Sequence, residues 1–224
     1  MKSRSTLKRR QEAAEEVPAR RRILEAAFSA FRESGYAGTS TLEIATRAHV
    51  SKRELYALVG NKEELLAACI SARARRLQVP ADLPVPRDRE TLGETLTSLG
   101  ARLLREISDP AVIGVFRLAI GEAVRAPEVA RALDSIGRET SRAALRGIID
   151  QARSAGLLDG QPVDMAEQFA GLLWGNLMVS LLLGVADRPS PREIERRARD
   201  ATVAFLRLNL TPGDAAQSTD RRTS

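Results

Sequence analysis

Side chains suited to contacting a nucleic acid cluster at the start of one short predicted helix, at Ser51, Lys52, Arg53 and Tyr56. Lys52 and Arg53 are long cations that can reach a guanine edge or a phosphate. Tyr56 is placed for a phosphate, because its hydroxyl group can donate a hydrogen bond. This combination predicts a helix that reads the major groove of DNA from its N-terminal end.

Neighbouring segments supply further candidates for phosphate contacts. Lys62 stands at the predicted start of another helix, where free backbone N–H groups also favour anions. Glu54 adds a negative charge to the reading helix, and we interpret it as a cap partner, with a bond from a cytosine amino group as the alternative. The complete predicted DNA-binding set is Thr39, Ser40, Thr41, Arg47, Ser51, Lys52, Arg53, Tyr56 and Lys62.

Three repeats of one capping pattern define the helices that must position these side chains. Ser40, Ser51 and Asn61 each stand three residues before a glutamate. In that arrangement the cap side chain accepts a bond from an unpaired backbone N–H, and the glutamate can reach back to the cap. The pattern predicts helices over 41–48, 51–58 and 61–78, which is a helix-turn-helix followed by a connecting helix. A first helix is predicted over 18–34, ending at Gly35.

The positive charge of the chain is concentrated in its N-terminal third. Residues 1–78 contain sixteen Lys or Arg and nine Asp or Glu, a net charge of +7, whereas the other 146 residues carry −1. Such asymmetry indicates a polyanionic partner for the first third, either a nucleic acid or an acidic membrane surface. Residues 1–17 are predicted to form a disordered basic arm.

The rest of the chain is predicted to be helical as well. Residues 79–87 contain three prolines and mark a domain boundary. Beyond it, caps and apolar periodicity predict helices over 88–107, 110–125, 127–156, 164–186 and 191–210, and a disordered tail over 211–224. The predicted fold is all-α with about nine helices: a helix-turn-helix domain at 18–78 and a C-terminal helical domain at 88–210, whose role in ligand binding and dimerisation is implied only by the family resemblance given next.

The segment from Arg22 to Ile70 resembles the TetR family of bacterial regulators. The resemblance rests on a set of short motifs: Ile44-Ala45, Ala48, Val50-Ser51, Leu55-Tyr56, Lys62-Glu63 and Leu65, with Gly35-Tyr36 and the cluster 39–41. Residues 116–123 and 127–129 resemble the AcrR- and AefR-like members more loosely. His49 departs from the pattern, because the family has Gly at this turn position, where a positive φ is expected.

The resemblance implies a homodimer, with self-contact through helices near 164–186 and 191–210, and a cavity for a small apolar ligand between the middle helices. Candidate lining residues are Phe116, Ile120, Phe169, Leu173 and Trp174, although each of these could equally be a core residue. The function expected is a cytoplasmic, ligand-responsive transcription regulator of double-stranded DNA. Repression is implied by the family alone, and an activator or a regulator without a small ligand remains an alternative.

Two alternatives come from other classes of protein: a membrane-anchored basic protein that uses 168–186 as its span, and an enzyme. The uncharged run 168–186 approaches the length of a membrane span, but a helix buried at a subunit interface explains it better, so no membrane partner is expected. No phosphate loop, dinucleotide motif or nucleophile elbow is present, so the chain is not expected to be an enzyme. The sequence predicts no cofactor and no metal, and it predicts that Cys69 is a small core residue.

Overall fold

The computed structural model describes residues 2–75 and 84–209, with side chains described from residue 18 onward. Within these residues the backbone forms helices and no strand, as the all-α prediction requires. The helices are α1 (Lys2–Gly38), α2 (Thr41–Arg47), α3 (Lys52–Val59), α4 (Lys62–Ala74), α5 (Arg89–Ile107), α6 (Pro110–Glu122), α7 (Pro127–Ala132), a π-helical segment (Leu133–Arg138), α8 (Glu139–Ser154), α9 (Pro162–Trp174), α10 (Leu177–Leu183) and α11 (Pro191–Leu208).

The first helix begins at Lys2, so both the predicted start at Pro18 and the predicted disordered arm differ from the structure. Residues 8–16 are Arg, Lys, Gln, Ala and Glu, all of which favour helix. Pro18 lies inside α1. Inside α1 the backbone leaves helical geometry at Gly35, where φ is 75°, a value that glycine adopts easily. We call residues 36–40, which follow this kink, the α1–α2 turn. The predicted tail at 211–224 lies outside the described residues.

The helices of the predicted helix-turn-helix begin where the caps place them. The hydroxyl groups of Ser40 and Ser51 accept hydrogen bonds from the backbone N–H groups of Glu43 and Glu54, each at 3.1 Å. At Asn61 the capping box is complete, since the carboxylate of Glu64 also accepts a bond from the Asn61 N–H at 2.7 Å. These bonds satisfy donors that would otherwise be unpaired at each helix start.

The chain divides into two compact units. The first unit comprises residues Met1–Ala74 together with Gly114–Gly137, and the second comprises Arg75–Ile113 and Arg138–Ser224. Most of α6 and all of α7 thus belong with the helix-turn-helix, which the predicted division at residues 79–87 did not foresee. The core of the first unit includes Ile23, Phe31, Ile44, Leu55, Leu65, Ala119 and Val129.

In the second unit α5, α9 and α11 pack around one another. A side chain at Gly100 of α5 would lie 3.2 Å from Leu173 and 3.4 Å from Phe169, so glycine permits this close approach. The rings of Phe169 and Phe205 meet edge to face at 5.5 Å, a favoured geometry for two aromatic side chains.

The predicted single helices over 164–186 and 127–156 are each interrupted. Gly175, with φ at 47°, ends α9, and α10 then starts at Leu177. Among the described residues no single helix is long and apolar enough to cross a membrane, and α9 and α10 reach that length only as a pair bent by 56°. The predicted helix over 127–156 is interrupted differently: a π-helical segment over Leu133–Arg138 separates α7 from α8.

Candidate nucleic-acid interface

The helices α2 and α3 cross where the small Ala45 and the fully buried Ile44 and Leu55 meet. Ile44 and Leu55 are inaccessible to solvent, and Ala45 is almost so. The turn between the helices is closed by a bond from the Val50 N–H to the Ala45 carbonyl at 3.0 Å. His49 in this turn has φ at 53°, which confirms the predicted positive φ. The buried contacts fix the direction in which the opposite face of α3 points.

That opposite face presents four of the predicted residues together. Ser51, Lys52, Arg53 and Tyr56 are all exposed at the first turns of α3. The ammonium group of Lys52 lies 5.8 Å from the centre of the Tyr56 ring. In the part of the chain that the structure describes, Arg53 forms no hydrogen bond or ion pair. The exposed start of α3 therefore carries two cations and a phenol that are available to a polyanion.

The two serine caps and Thr41 extend this surface onto α2. The hydroxyl groups of Thr41 and Tyr56 share a hydrogen bond of 3.2 Å, which joins the two helices on their exposed side. Ser40 and Ser51 use their oxygens as acceptors for backbone N–H groups. Because a hydroxyl group can both accept and donate, each serine retains a hydrogen that could be given to a phosphate.

Arg47 is engaged within the first unit. Its guanidinium group lies 2.7 Å from the carboxylate of Glu33 on α1 and 2.7 Å from that of Glu43. A hydrogen bond from Ser29 and then the bond from Arg47 hold the pKa of Glu33 below its usual value. The bond to Glu33 in turn raises the pKa of Arg47. Sequence spacing did not reveal Glu33 as a partner, because it lies on a different helix.

The position of Thr39 in the structure does not suit the predicted contact between its side chain and DNA. The residue is only 2% exposed, and its hydroxyl group donates to the carbonyls of Ala30, at 3.1 Å, and Gly35, at 2.7 Å. These bonds tie the turn that follows α1 to the end of that helix. The polar side chain of Thr39 is thus used inside the fold.

Lys62 also differs from its predicted setting. It is half-buried, and its ammonium group lies 4.5 Å from the centre of the Tyr36 ring and 3.5 Å from the Ala37 carbonyl oxygen. Burial lowers the pKa of Lys62, although the negative charges of Glu122 and Glu128 oppose this effect. The side chain lies against the α1–α2 turn instead of extending into solvent.

The five predicted ligand-lining residues are divided between the two units of the chain. Phe116 and Ile120 belong to the first unit, where Phe116 packs against the core and Ile120 is 62% exposed. In the second unit Phe169 and Leu173 are buried core residues and Trp174 is half-buried. A surface depression of about 330 Å³ in that unit is lined by other residues: Leu172, Arg196, Arg197, Asp200, Ala201 and Ala204. The core alternative therefore holds for Phe169 and Leu173.

Comparison with known proteins finds matches to both the helix-turn-helix and the C-terminal helices. Residues 23–69 match the model of bacterial regulatory proteins of the tetR family, and residues 94–208 match the C-terminal domain of AefR-like transcriptional repressors. The flavonoid-responsive regulator FrrA is 31% identical, with a TM-score of 0.71 over 87% of this chain and 98% of that chain.

Two further relatives are similar. A TetR transcriptional regulator from Agrobacterium tumefaciens is 28% identical, with a TM-score of 0.72 over 86% of this chain and 95% of that one. The HTH-type transcriptional regulator YezE of Bacillus subtilis is 23% identical over 146 residues, which are 64% of this chain and 75% of that protein. These proteins are regulators and not enzymes. With a helix-turn-helix matched at one end and an AefR-like domain at the other, the chain belongs to the TetR family of DNA-binding transcriptional regulators.

Proposed function

We propose that the chain acts in the cytoplasm as a homodimeric repressor, which binds a palindromic DNA operator and releases it when a small apolar effector binds. The observation that carries the proposal is the exposed start of α3, where Lys52, Arg53 and Tyr56 stand together on a helix held from behind by Leu55. A helix presented in this way fits the major groove with its N-terminal residues toward the bases.

Arg53 is the residue we assign to base reading. It is exposed and unpaired in the described part of the chain, and arginine can form two parallel bonds to the O6 and N7 atoms of guanine. Lys52, Tyr56 and Thr41, with the serine caps, are assigned to phosphates, which set the position of the helix without reading sequence. Arg47 would support operator binding indirectly, because its ion pairs with Glu33 and Glu43 hold α2 in place.

The test is Arg53→Ala, with Arg131→Ala as the control. Arg131 is an exposed arginine of α7 in the same unit, so its removal changes the net charge equally. Loss of a bidentate contact costs about 1–3 kcal/mol and relaxes specificity at the base that was read. We expect weaker operator binding and a relaxed preference in Arg53→Ala, and no change in the control. Footprints equal in strength and preference to wild type would refute the assignment.

Dimerisation through the last helices is supported by exposed apolar side chains there. Val179 and Leu183 of α10 are 57% and 72% exposed, and Val203 and Leu208 of α11 are also exposed. Burial of such a surface against a second copy would remove apolar area from water. Analytical ultracentrifugation of wild type and Leu183→Asp checks this: we expect a dimer that the substitution weakens, and a monomeric wild type would refute it.

The effector is proposed to be small and apolar or aromatic. FrrA, which shares the fold and 31% of its residues with this chain, is flavonoid-responsive, so a flavonoid is the first compound to try. Trp174 is the only tryptophan and lies half-buried in the second unit, so its fluorescence reports on binding there. We expect a saturable change in fluorescence together with release of the operator. A reporter gene whose transcription falls when the regulator is supplied would identify repression, and a rise would identify activation.

A further inference from the structure

Two charged side chains hold the opposite sides of one peptide segment in the turn between α1 and α2. Glu122, the last residue of α6, accepts a hydrogen bond from the Ala37 N–H through its Oε1 atom at 3.3 Å. From the other side, the ammonium group of Lys62 lies 3.5 Å from the carbonyl oxygen of Ala37. The residue held between them, Ala37, is exposed, and its methyl side chain cannot form a hydrogen bond.

The residues around Ala37 leave room for both charged groups, and we call Glu122 and Lys62 together the clamp of the α1–α2 turn. A side chain at Gly35 would come within 3.0 Å of the Glu122 Oε1 atom, so glycine leaves room for the carboxylate. The Oε2 atom of Glu122 is buried and makes no hydrogen bond within the described residues. The Tyr36 ring lies under the Lys62 ammonium group at 4.5 Å, a cation–π geometry. The ammonium group of Lys62 thus interacts both with the Tyr36 ring and with the carbonyl oxygen of Ala37.

The clamped turn leads directly into the proposed DNA surface. Thr39 donates its backbone N–H to the Tyr36 carbonyl at 3.3 Å, and Ser40 then caps α2. Thr41, the first residue of α2, is bonded to Tyr56 of α3. A displacement of the turn would therefore move the cap of α2 and the hydroxyl pair on the exposed face.

We propose that Glu122 and Lys62 are positioning residues that fix the α1–α2 turn, and that Lys62 supports DNA binding through this turn and not through contact with a phosphate. The inference rests on the proposed DNA-binding role of α2 and α3. It assigns the end of α6 a direct part in shaping the DNA-binding surface, and it gives Lys62 a function different from the one its place at a helix start predicts.

Salt dependence separates the two roles of a lysine. Each phosphate contact contributes about 0.9 to the slope of log affinity against log salt concentration, so removing one contact from each protomer of a dimer lowers the slope by about 2. Lys52→Met is the phosphate-contact reference and Lys62→Met is the test. We expect the slope to fall in Lys52→Met only, while Lys62→Met loses about two- to tenfold in affinity at every salt concentration. A fall in slope equal to that of Lys52→Met would overturn the proposal.

Glu122 is tested with a matched carboxylate. Glu128 also interacts with the charge of Lys62, but of these two carboxylates it is Glu122 that accepts the hydrogen bond from Ala37. We expect Glu122→Ala to lose about two- to tenfold in affinity, Glu122→Gln to retain most of it because an amide oxygen still accepts a bond, and Glu128→Ala to bind as wild type.

Equal affinities of Glu122→Ala and Glu128→Ala would overturn the role of Glu122, and circular dichroism checks that each variant is folded. This comparison does not use a lysine variant, so it decides the matter even if Lys62→Met fails to fold. A wild-type protein that prefers no sequence, and whose affinity is unchanged in Lys52→Met, would overturn the DNA-binding role of α3 and the clamp with it.

Discussion

Substitutions of Ser51 separate the stability of the reading helix from its contact with DNA. The Ser51 hydroxyl group accepts the Glu54 N–H at 3.1 Å and caps α3, a helix of 8 residues. Removing such a cap costs about 1 kcal/mol. The cap is exposed, so water can reach the freed N–H and the larger penalty for a buried unpaired donor does not apply. Ser51→Ala should therefore lower the melting temperature by about 2–4 °C.

Ser51→Asp is expected to keep the stability of the protein but to weaken its binding to DNA. An aspartate also caps a helix, and its negative charge interacts favourably with the N-terminal end of the helix dipole. The melting temperature should stay at or above that of wild type. At the DNA surface, however, the carboxylate would face phosphates. Two like charges about 5 Å apart in water repel by about 0.8 kcal/mol, so two protomers lose about 1.6 kcal/mol, which is roughly fifteenfold in affinity.

The assay pairs thermal melting by circular dichroism with fluorescence anisotropy on a labelled operator. Ser190 is the matched control, because it caps α11 through the same type of bond, from the Glu193 N–H at 3.3 Å, but lies in the second unit. Ser190→Asp should bind DNA as wild type. If Ser51→Asp melts as expected yet binds the operator with unchanged affinity, then Ser51 does not face DNA and our orientation of α3 is refuted.

Two further predictions concern the core of the first unit. Leu55→Ala should lower the free energy of unfolding by about 2–5 kcal/mol, because a fully buried leucine of α3 leaves a cavity, and urea denaturation would measure the loss. Burial raises the pKa of Cys69 to about 12, so the folded protein should resist alkylation by iodoacetamide at pH 8.5, while the urea-unfolded chain reacts; rapid labelling of the folded protein would contradict this. Because its pKa is higher in the folded state, Cys69 contributes stability that is fully present below about pH 8.5 and is lost as the pH rises toward 12.

Local signals predicted the starts of α2, α3 and α4 and the exposed side of α3. A cap depends on residues three positions apart, so Ser40, Ser51 and Asn61 place their helices without knowledge of the rest of the fold. The positive φ of His49 was expected because the TetR family, which this segment resembles, has glycine at the same turn position. The buried position of Leu55 follows from apolar spacing, and the exposed side of α3 follows from it.

Contacts between distant parts of the chain were not predictable in this way. Thr39 and Lys62 have side chains that suit a phosphate, but the fold directs them to Gly35 and to the Tyr36–Ala37 turn. No local motif predicts the role of Glu122, since its partner Ala37 lies 85 residues away in the sequence. The assignment of 114–137 to the first unit also depends on packing, because nothing in the local pattern of α6 or α7 says which core they join.

The break at Gly175 shows a limit of composition. An uncharged run without proline predicts one long helix, and glycine within it is tolerated at a cost of about 1 kcal/mol. Here Gly175 adopts a φ of 47°, so α9 ends and α10 continues in a new direction. Composition therefore predicts the hydrophobic character of this segment but not the change of direction after Gly175.

The central claim is that two copies of α3 read one symmetric DNA site. Selection from a pool of random duplexes, followed by footprinting of the enriched sequence, tests it most directly. We expect a palindrome whose half-sites lie about 10–10.5 base pairs apart, or a multiple of that spacing, with both half-sites protected. Enrichment of no sequence above the random pool, or of a site without two-fold symmetry, would contradict the claim.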